Sequence, residues 1–496
     1  MDIVAIYIIA AGGIFVAFFF IRTLHQLCGP WTRAGVLLHL TYLAVNLLLI
    51  FFKIDSLTGA GRRAGELALV NLVFPLSAIH LSYLADLLGI IWRSCRKIHR
   101  ATGWMAVSLL SFYMTVALQT QSYIFPLREA AISLGLLVLL SLPLVRRLSY
   151  EIFLRVHQVF AGIFVYGTWR HLPSHSHASK IYLLVALGVF GLTLLSQSIV
   201  FLYRNGLFSG RGTPRAIVSF SVSEAEEDSV VNAVHVRVLL PRPVRVEAGQ
   251  YINLWMPSVS LCSWMQTHPF TVTSWSKGKQ DTMELLVKPR TGLTADLARY
   301  APTDEQTEGS SISFLALITG PHGVSEEVGQ YESILLLASG CGVAGAIPYL
   351  KKAIYGYNTC TSQIRRLHLV WQVESIDEMS AALTLLNRLL KDDIVDGGYI
   401  LHISIYVRDG LGHKKFLLGD HKRVYLYQGL PDYQSIISLE ASGNQIERLS
   451  NMWDEQGRML VMVSATDELR DRIRGVVRDY LHEGVKLSEL EYQPSD

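Results

Sequence analysis

Hydrophobic positions crowd into the first two hundred residues. Seven runs, roughly 5–22, 33–52, 66–91, 102–120, 128–145, 152–171 and 181–203, are long or apolar enough for a hydrocarbon layer that takes about 20 residues per helix. The third and sixth carry polar interruptions. Beyond about residue 207 the pattern changes. AVHVRV alternates with period two and PRPVRVEAGQYINLWMP sets turn residues between extended runs, which predicts a small antiparallel barrel over 216–323. Further on, an apolar strand over 334–338 runs through Gly340, Gly342 and Gly345 into a helical pattern, and a second strand, LHLVWQVES, follows. The expected fold is a seven-helix membrane bundle (1–206), an antiparallel β-barrel (207–328) and an α/β nucleotide-binding domain (329–496).

Composition agrees with the bundle: 50% of the 496 residues are hydrophobic and the mean hydropathy is +0.31. A net charge of +3 without a basic tract gives no sign of nucleic acid as a partner. The five cysteines show no CxxC spacing, so neither a zinc site nor a disulfide framework is expected. The start, MDIVAIYIIAAGG, lacks a basic n-region and reads as a first membrane helix rather than a cleaved signal. With the amino terminus outside, twelve Lys and Arg between residues 22 and 215 fall on the cytosolic side and six on the other, which sends the polar remainder into the cytosol. A multi-pass protein in contact with membrane lipid is expected.

Candidate chemistry begins in RRLSYEIFLRVHQVFAGIFVYGTWRHL. Its His157 and His171 are fourteen residues apart, roughly 40° apart in direction and about 21 Å in height on a helix. An imidazole in hydrocarbon is costly without a partner, and a haem iron is such a partner. His99, at the start of the fourth run, stands level with His157. Fourteen residues beyond His99, where a second histidine would face His171, the chain has Tyr113. His39 and His80 have no such pairing and read as structural.

AIHLSYLADLLGIIWRSCRKIHRATGW followed by YEIFLRVHQVFAGIFVYGTWRHL resembles the fungal ferric reductase transmembrane components, relatives of the NADPH oxidases. The resemblance implies two stacked b-type haems, with His99 and His157 as the inner metal-ligating pair and His171 as half of an outer pair. With Tyr113 in the fourth position, the outer haem is absent, held by His171 alone, or given a phenolate; His175 and His177 lie close by in sequence. HPFTVTSW is similar to the flavin-binding strand of the ferredoxin-NADP reductase superfamily, which implies that His268, Pro269, Phe270 and Thr271 edge an FAD ring with Ser274 nearby. In KPRTGLTADL, Lys288, Arg290, Gly292 and Thr294 are then expected at the flavin pyrophosphate. Gly320 and Gly323 of GPHG resemble the family's GPYG junction.

Glycines 340, 342 and 345, between strand and helix, give a nicotinamide dinucleotide close backbone approach. Glu374, at the end of the next strand, makes NADH an alternative to NADPH. Ser464, Ala465 and Thr466 stand where the family has a Cys-Gly-Pro turn, and Tyr492 stands for a terminal aromatic. The activity implied is electron transfer from NAD(P)H through FAD and haem to an acceptor across the plasma membrane, a ferric or cupric chelate. Alternatives are a superoxide-forming oxidase, a single-haem redox enzyme of a fungal biosynthetic pathway, and a non-catalytic haem or flavin subunit. No residue is singled out as catalytic.

Overall fold

A computed structural model describes residues 33–119, 124–142, 150–172, 177–206, 208–223, 230–300, 312–393, 399–408, 415–418, 422–446 and 457–492. The first predicted span, 5–22, lies outside the described residues. Two compact units emerge: one takes the chain up to Ser77 and Lys97–Phe190, the other Ala78–Arg96 and everything from Gly191.

Up to residue 206 the described helices are α1 (Arg33–Phe51), α2 (Leu57–Leu76), α3 (Leu81–Leu88), α4 (Trp92–Gln119), α5 (Ile124–Leu140), α6 (Tyr150–His171) and α7 (His177–Arg204). Among the described residues, α1, α4 and α7 are long and apolar enough to cross a membrane, and α2 with α3 adds a fourth if that pair is one broken span. The predicted run at 66–91 is therefore not one helix. Its apolar average hides local signals: Ser56 caps α2 by accepting from the Gly59 N–H, and Pro75 sits in the last turn before the break. Helix α4 starts well before residue 102, because its basic first turns are helical although they are not apolar.

In the first unit, Ala60, Ala64 and Ala68 form a stripe of small residues on α2, and Ile50 of α1 with Met105 and Leu109 of α4 close onto it. A Cβ on Gly61 would come within 2.8 Å of Val116, and one on Gly65 within 3.3 Å of the Tyr113 ring. A second cluster joins Leu69 and Leu72 of α2 to Ala106 of α4, Leu134 of α5 and Phe164 of α6. Asn71 of α2 donates to Asn46 of α1 at 3.0 Å and accepts from Tyr42, so these polar groups satisfy one another inside the apolar bundle. Exposed leucines on α1 (Leu37, Leu38, Leu40) and α7 (Leu184, Leu192, Leu195) suit a hydrocarbon surround.

In the second unit, two antiparallel sheets form the barrel. One is ordered β5-β2-β1-β6 and the other β4-β3-β7. The strands are β1 (Arg215–Ser223), β2 (Val230–Arg245), β3 (Tyr251–Trp255), β4 (His268–Thr271), β5 (Lys279–Val287), β6 (Ile312–Leu315) and β7 (Leu317–His322). Val218, Val236, Ile252, Leu254, Met283 and Leu285 fill their common core.

The remainder is a seven-stranded sheet: β8 (Ser333–Ser339), β9 (Arg366–Val373), β10 (Leu401–Val407), β11 (Lys415–Leu417), β12 (Val424–Gln428), β13 (Met459–Ser464) and β14 (Val485–Glu489). Its order is β11-β12-β10-β9-β8-β13-β14, parallel except for β11. Helices α9 (Val343–Asn358) and α10 (Ile376–Asp392) follow a short helix α8 (Leu293–Ala298) of the barrel part, and α11 (Tyr433–Ala441) and α12 (Asp467–Arg478) come later. Every residue of β8 is buried. Ile334, Leu336 and Ala338 pack with α9 and α10, while Leu335 and Leu337 pack with α11 and α12. Such a strand, covered on both faces, reads as an unbroken apolar run.

Candidate functional site

In the bundle unit, four side chains make two rungs. His99 lies in α4 and His157 in α6, and the two imidazoles are electrostatic neighbours. Both Nδ1 atoms are buried with no hydrogen-bond partner, a costly state that a shared ligand for the rings would explain. The residues present therefore fit a haem held by the two rings. Fourteen residues further on along each helix, Tyr113 Oη and His171 Nε2 share a hydrogen bond of 2.6 Å. Their rings meet edge to face at 5.9 Å. His177 begins α7, and its side chain is exposed; His175 lies outside the described residues.

In the second unit, β4 carries the HPFT residues. His268 faces Gln266 (3.4 Å), Pro269 is exposed, and Phe270 packs on the barrel core. The Thr271 hydroxyl is buried without a hydrogen-bond partner. Ser274 serves the barrel itself, accepting from the Glu284 N–H at 3.1 Å. After β5 the chain turns at Gly292, whose φ of +62° suits glycine, into α8. Thr294 Oγ1 accepts from the Arg290 N–H at 3.0 Å, and the Leu293 N–H donates to Gln266 Oε1 at 2.9 Å. Lys288 Nζ donates to Glu378 Oε1 at 2.7 Å. Burial lowers the Lys288 pKa, but its hydrogen bond to Glu378 and that carboxylate's charge outweigh burial and leave it raised.

The glycine turn sits at the switch point of the seven-stranded sheet, because β9 flanks β8 on one side and β13 on the other. Ligands of open α/β sheets bind in the crevice that such a reversal opens. Gly340 has φ +50°. A Cβ on Gly342 would stand 2.0 Å from the Ser464 carbonyl oxygen, and one on Gly345 3.2 Å from Ser464 Oγ. That hydroxyl donates to the Tyr492 carbonyl at 3.0 Å, so the serine of the altered turn ties the carboxyl-terminal aromatic to the crevice. Burial pushes the Tyr492 phenol up to about 12, with Cys341 and Arg290 as its electrostatic neighbours. Burial also raises the Cys341 thiol, whose charged neighbours are Lys288, Glu378 and Arg290. The structure thus gathers the expected flavin-phosphate cations, the glycine turn and Tyr492 in one place.

Three family models match in the same order along the chain: the ferric reductase like transmembrane component over 128–168, an FAD-binding domain over 219–326, and the ferric reductase NAD binding domain over 331–408. Ferric reductase transmembrane component 3 of Saccharomyces cerevisiae is 27% identical over 58% of this chain and 39% of its own length. The chain resembles the ferric reductases in both its bundle and its nucleotide-binding part. The probable cell surface ferric reductase kap2 of Aspergillus oryzae is 23% identical over 63% of this chain and 43% of its own length. The aligned part of the chain spans about two fifths of these curated relatives. Among solved structures, a flavohemoglobin from Malassezia yamatoensis with bound FAD and heme aligns over 88% of this chain and 99% of its own, with 12% identity and a TM-score of 0.39.

In this chain the GPHG junction is knitted to helical segments of the same unit. Asp86 of α3 accepts from His322 Nδ1 at 2.5 Å and from the Gly323 N–H at 3.0 Å. Arg204, ending α7, donates to the Gly320 carbonyl, and Tyr251 donates to Ser82 of α3 at 2.9 Å. Gly320 and Gly323 have φ of +106° and +98°. A cavity of about 370 Å³ lies among Asp86, Arg204, Gln250, Thr319 and His322.

Sequence reasoning missed three residues here. Asp86 stands 236 residues from His322. Glu378 is the third residue of α10 and caps it with Ser375 in an S-x-x-E pattern; that signal was present, but not that Glu378 reaches Lys288. Arg408, just past β10, pairs with Glu374 at 3.2 Å beyond the end of β9.

Proposed function

We propose that this chain is an NAD(P)H-dependent metal-chelate reductase that moves electrons across a membrane by way of FAD and a b-type haem, with the barrel and nucleotide parts in the cytosol. Bound FAD supplies the conversion of a hydride's electron pair into single electrons, and haem supplies a one-electron relay. The chain's own groups bind and orient. Glycines 340 and 342 admit the dinucleotide backbone, and the amino terminus of α9 meets its negative charge. The buried Thr271 hydroxyl offers a hydrogen bond to the flavin ring edge, Arg290 and the Gly292 turn receive the flavin phosphates, and Tyr492 shields the ring from water. His99 and His157 hold the haem. The acceptor, a ferric or cupric chelate, is taken from the names of the relatives, and the cytosolic side from the bias of basic residues.

One observation carries the reading above the rest. Two histidines on separate helices, each with a buried Nδ1 that has no hydrogen-bond partner, precede, in one chain, a crevice at the sheet's switch point where Gly342 has no room for a side chain. The test is anaerobic addition of NADPH or NADH to detergent-purified protein with its flavin bound. Bleaching of the flavin absorbance is expected with at least one of them, and an unchanged spectrum with both would overturn the enzyme reading.

A further inference from the structure

The two rungs of the bundle differ in a way that bears on how many haems the chain holds. A metal between two imidazoles takes a bond of about 2 Å to each, as at zinc sites, so the two donor atoms stand about 4 Å apart across it. At the lower-numbered rung the Nδ1 atoms of His99 and His157 are buried without a hydrogen-bond partner, as is the Nδ1 of His171. At the other rung Tyr113 Oη and His171 Nε2 are 2.6 Å apart and already bonded to each other. That separation admits no iron, and the nitrogen a haem would take is the one the phenol occupies.

The contact is built in rather than incidental. Gly65 of α2 gives the Tyr113 ring its place, since a Cβ there would lie 3.3–3.4 Å from ring carbons. A histidine at 113 would be shorter and would withdraw its nitrogen from His171, reopening the space between the helices. The residues at this rung do not fit a second haem.

We infer that the chain holds a single haem, between His99 and His157, and that Tyr113 and His171 form a closed hydrogen-bonded contact in place of a second one. This rests on the flavocytochrome reading. Its consequence is that an electron bound for the far side covers the about 21 Å of helix rise from the level of His99 and His157 to that of His171 without a second haem. Tyr113 is then a residue that sets the length of the last electron step.

The test is haem content per FAD, by pyridine haemochrome and flavin release, in the purified full chain and in Tyr113→His, Tyr113→Phe, His171→Ala and His157→Ala. One haem per FAD is expected in the native protein, in Y113F and in H171A, with the same reduced-minus-oxidised spectrum and a single midpoint in a redox titration. Y113H is expected to rise toward two and to show a second midpoint, and H157A to fall to none. Two haems per FAD in the native protein, or loss of half the haem in H171A, would overturn the inference while leaving the flavocytochrome reading intact. Absence of haem from the native, flavin-replete protein would defeat that reading, and the inference with it.

Discussion

On the proposed reading, nicotinamide preference turns on a single ion pair and acid sensitivity on two titratable groups. Glu374 stands at the sheet end where an adenosine ribose is expected, and Arg408 neutralises it across 3.2 Å. A free carboxylate favours an unphosphorylated ribose, and a free guanidinium favours a 2′-phosphate. Glu374→Ala releases Arg408 and is expected to move the ratio of kcat/KM for NADPH over NADH upward by about tenfold, roughly 1.4 kcal/mol. Steady-state flavin reduction with both nucleotides measures it, and an unchanged ratio would remove Glu374 from the ribose site. His402, on β10, is lowered to about 4 by burial and by the nearby Arg366. Its ordinary value is 6.5, so between pH 6.5 and 4 the unfolded chain takes up a proton that the folded chain refuses. Stability falls as pH drops through that window. Glu440 acts in the same direction lower down. Burial raises its pKa, but hydrogen bonds from His368 and Arg366 hold it at about 2 against an ordinary 4.5, and its contribution is lost as pH falls through 2. His402→Gln is expected to flatten the fall in melting temperature between pH 6.5 and 4 while leaving the loss below pH 4; an unaltered profile would assign the acid sensitivity elsewhere.

At the scale of elements, what the sequence made legible was local order. The strand, the glycines and the helix after them lie within thirty residues, and the structure has all three: β8, a turn at Gly340–Gly342, and α9. HPFT lies on a strand, β4, for the same reason. Illegible features depend on pairing across the chain. Arg408 meets Glu374 only because β10 lies beside β9, and Glu378 meets Lys288 across 90 residues. The break after Leu76 is hidden by averaging, since hydropathy registers neither a cap nor a terminal proline. Short helix α3 gains its place from polar contacts rather than apolar length: Asp86 bonds the GPHG turn, and the Trp92 N–H that follows donates to Glu491 at 2.8 Å. Asp86→Ala strips His322 and the Gly323 N–H of their acceptor and is expected to cost about 1–3 kcal/mol. A thermal melt of the flavin-loaded protein would show a lower midpoint and earlier flavin release. A midpoint equal to that of the native protein would mean that the junction is held by other contacts.

For the whole molecule, the proposed relay runs backwards along the chain, from the dinucleotide crevice through the HPFT strand to the His99 and His157 pair. Because a helix repeats every 3.6 residues, spacing put His157 and His171 on one face, and the structure makes His157 an electrostatic neighbour of His99. Spacing also marked position 113 as the exception, but only the structure showed its phenol bonded to His171. The central claim is that electrons from the nicotinamide reach a haem held by His99 and His157, and anaerobic stopped-flow spectroscopy of the purified full chain tests it most directly. After mixing with the preferred nucleotide, flavin bleaching followed by growth of the reduced haem band is expected in the native protein. In His157→Ala the flavin should bleach and no haem band should appear. A native haem that stays oxidised while the flavin bleaches, or a haem band of native size in His157→Ala, would contradict the account.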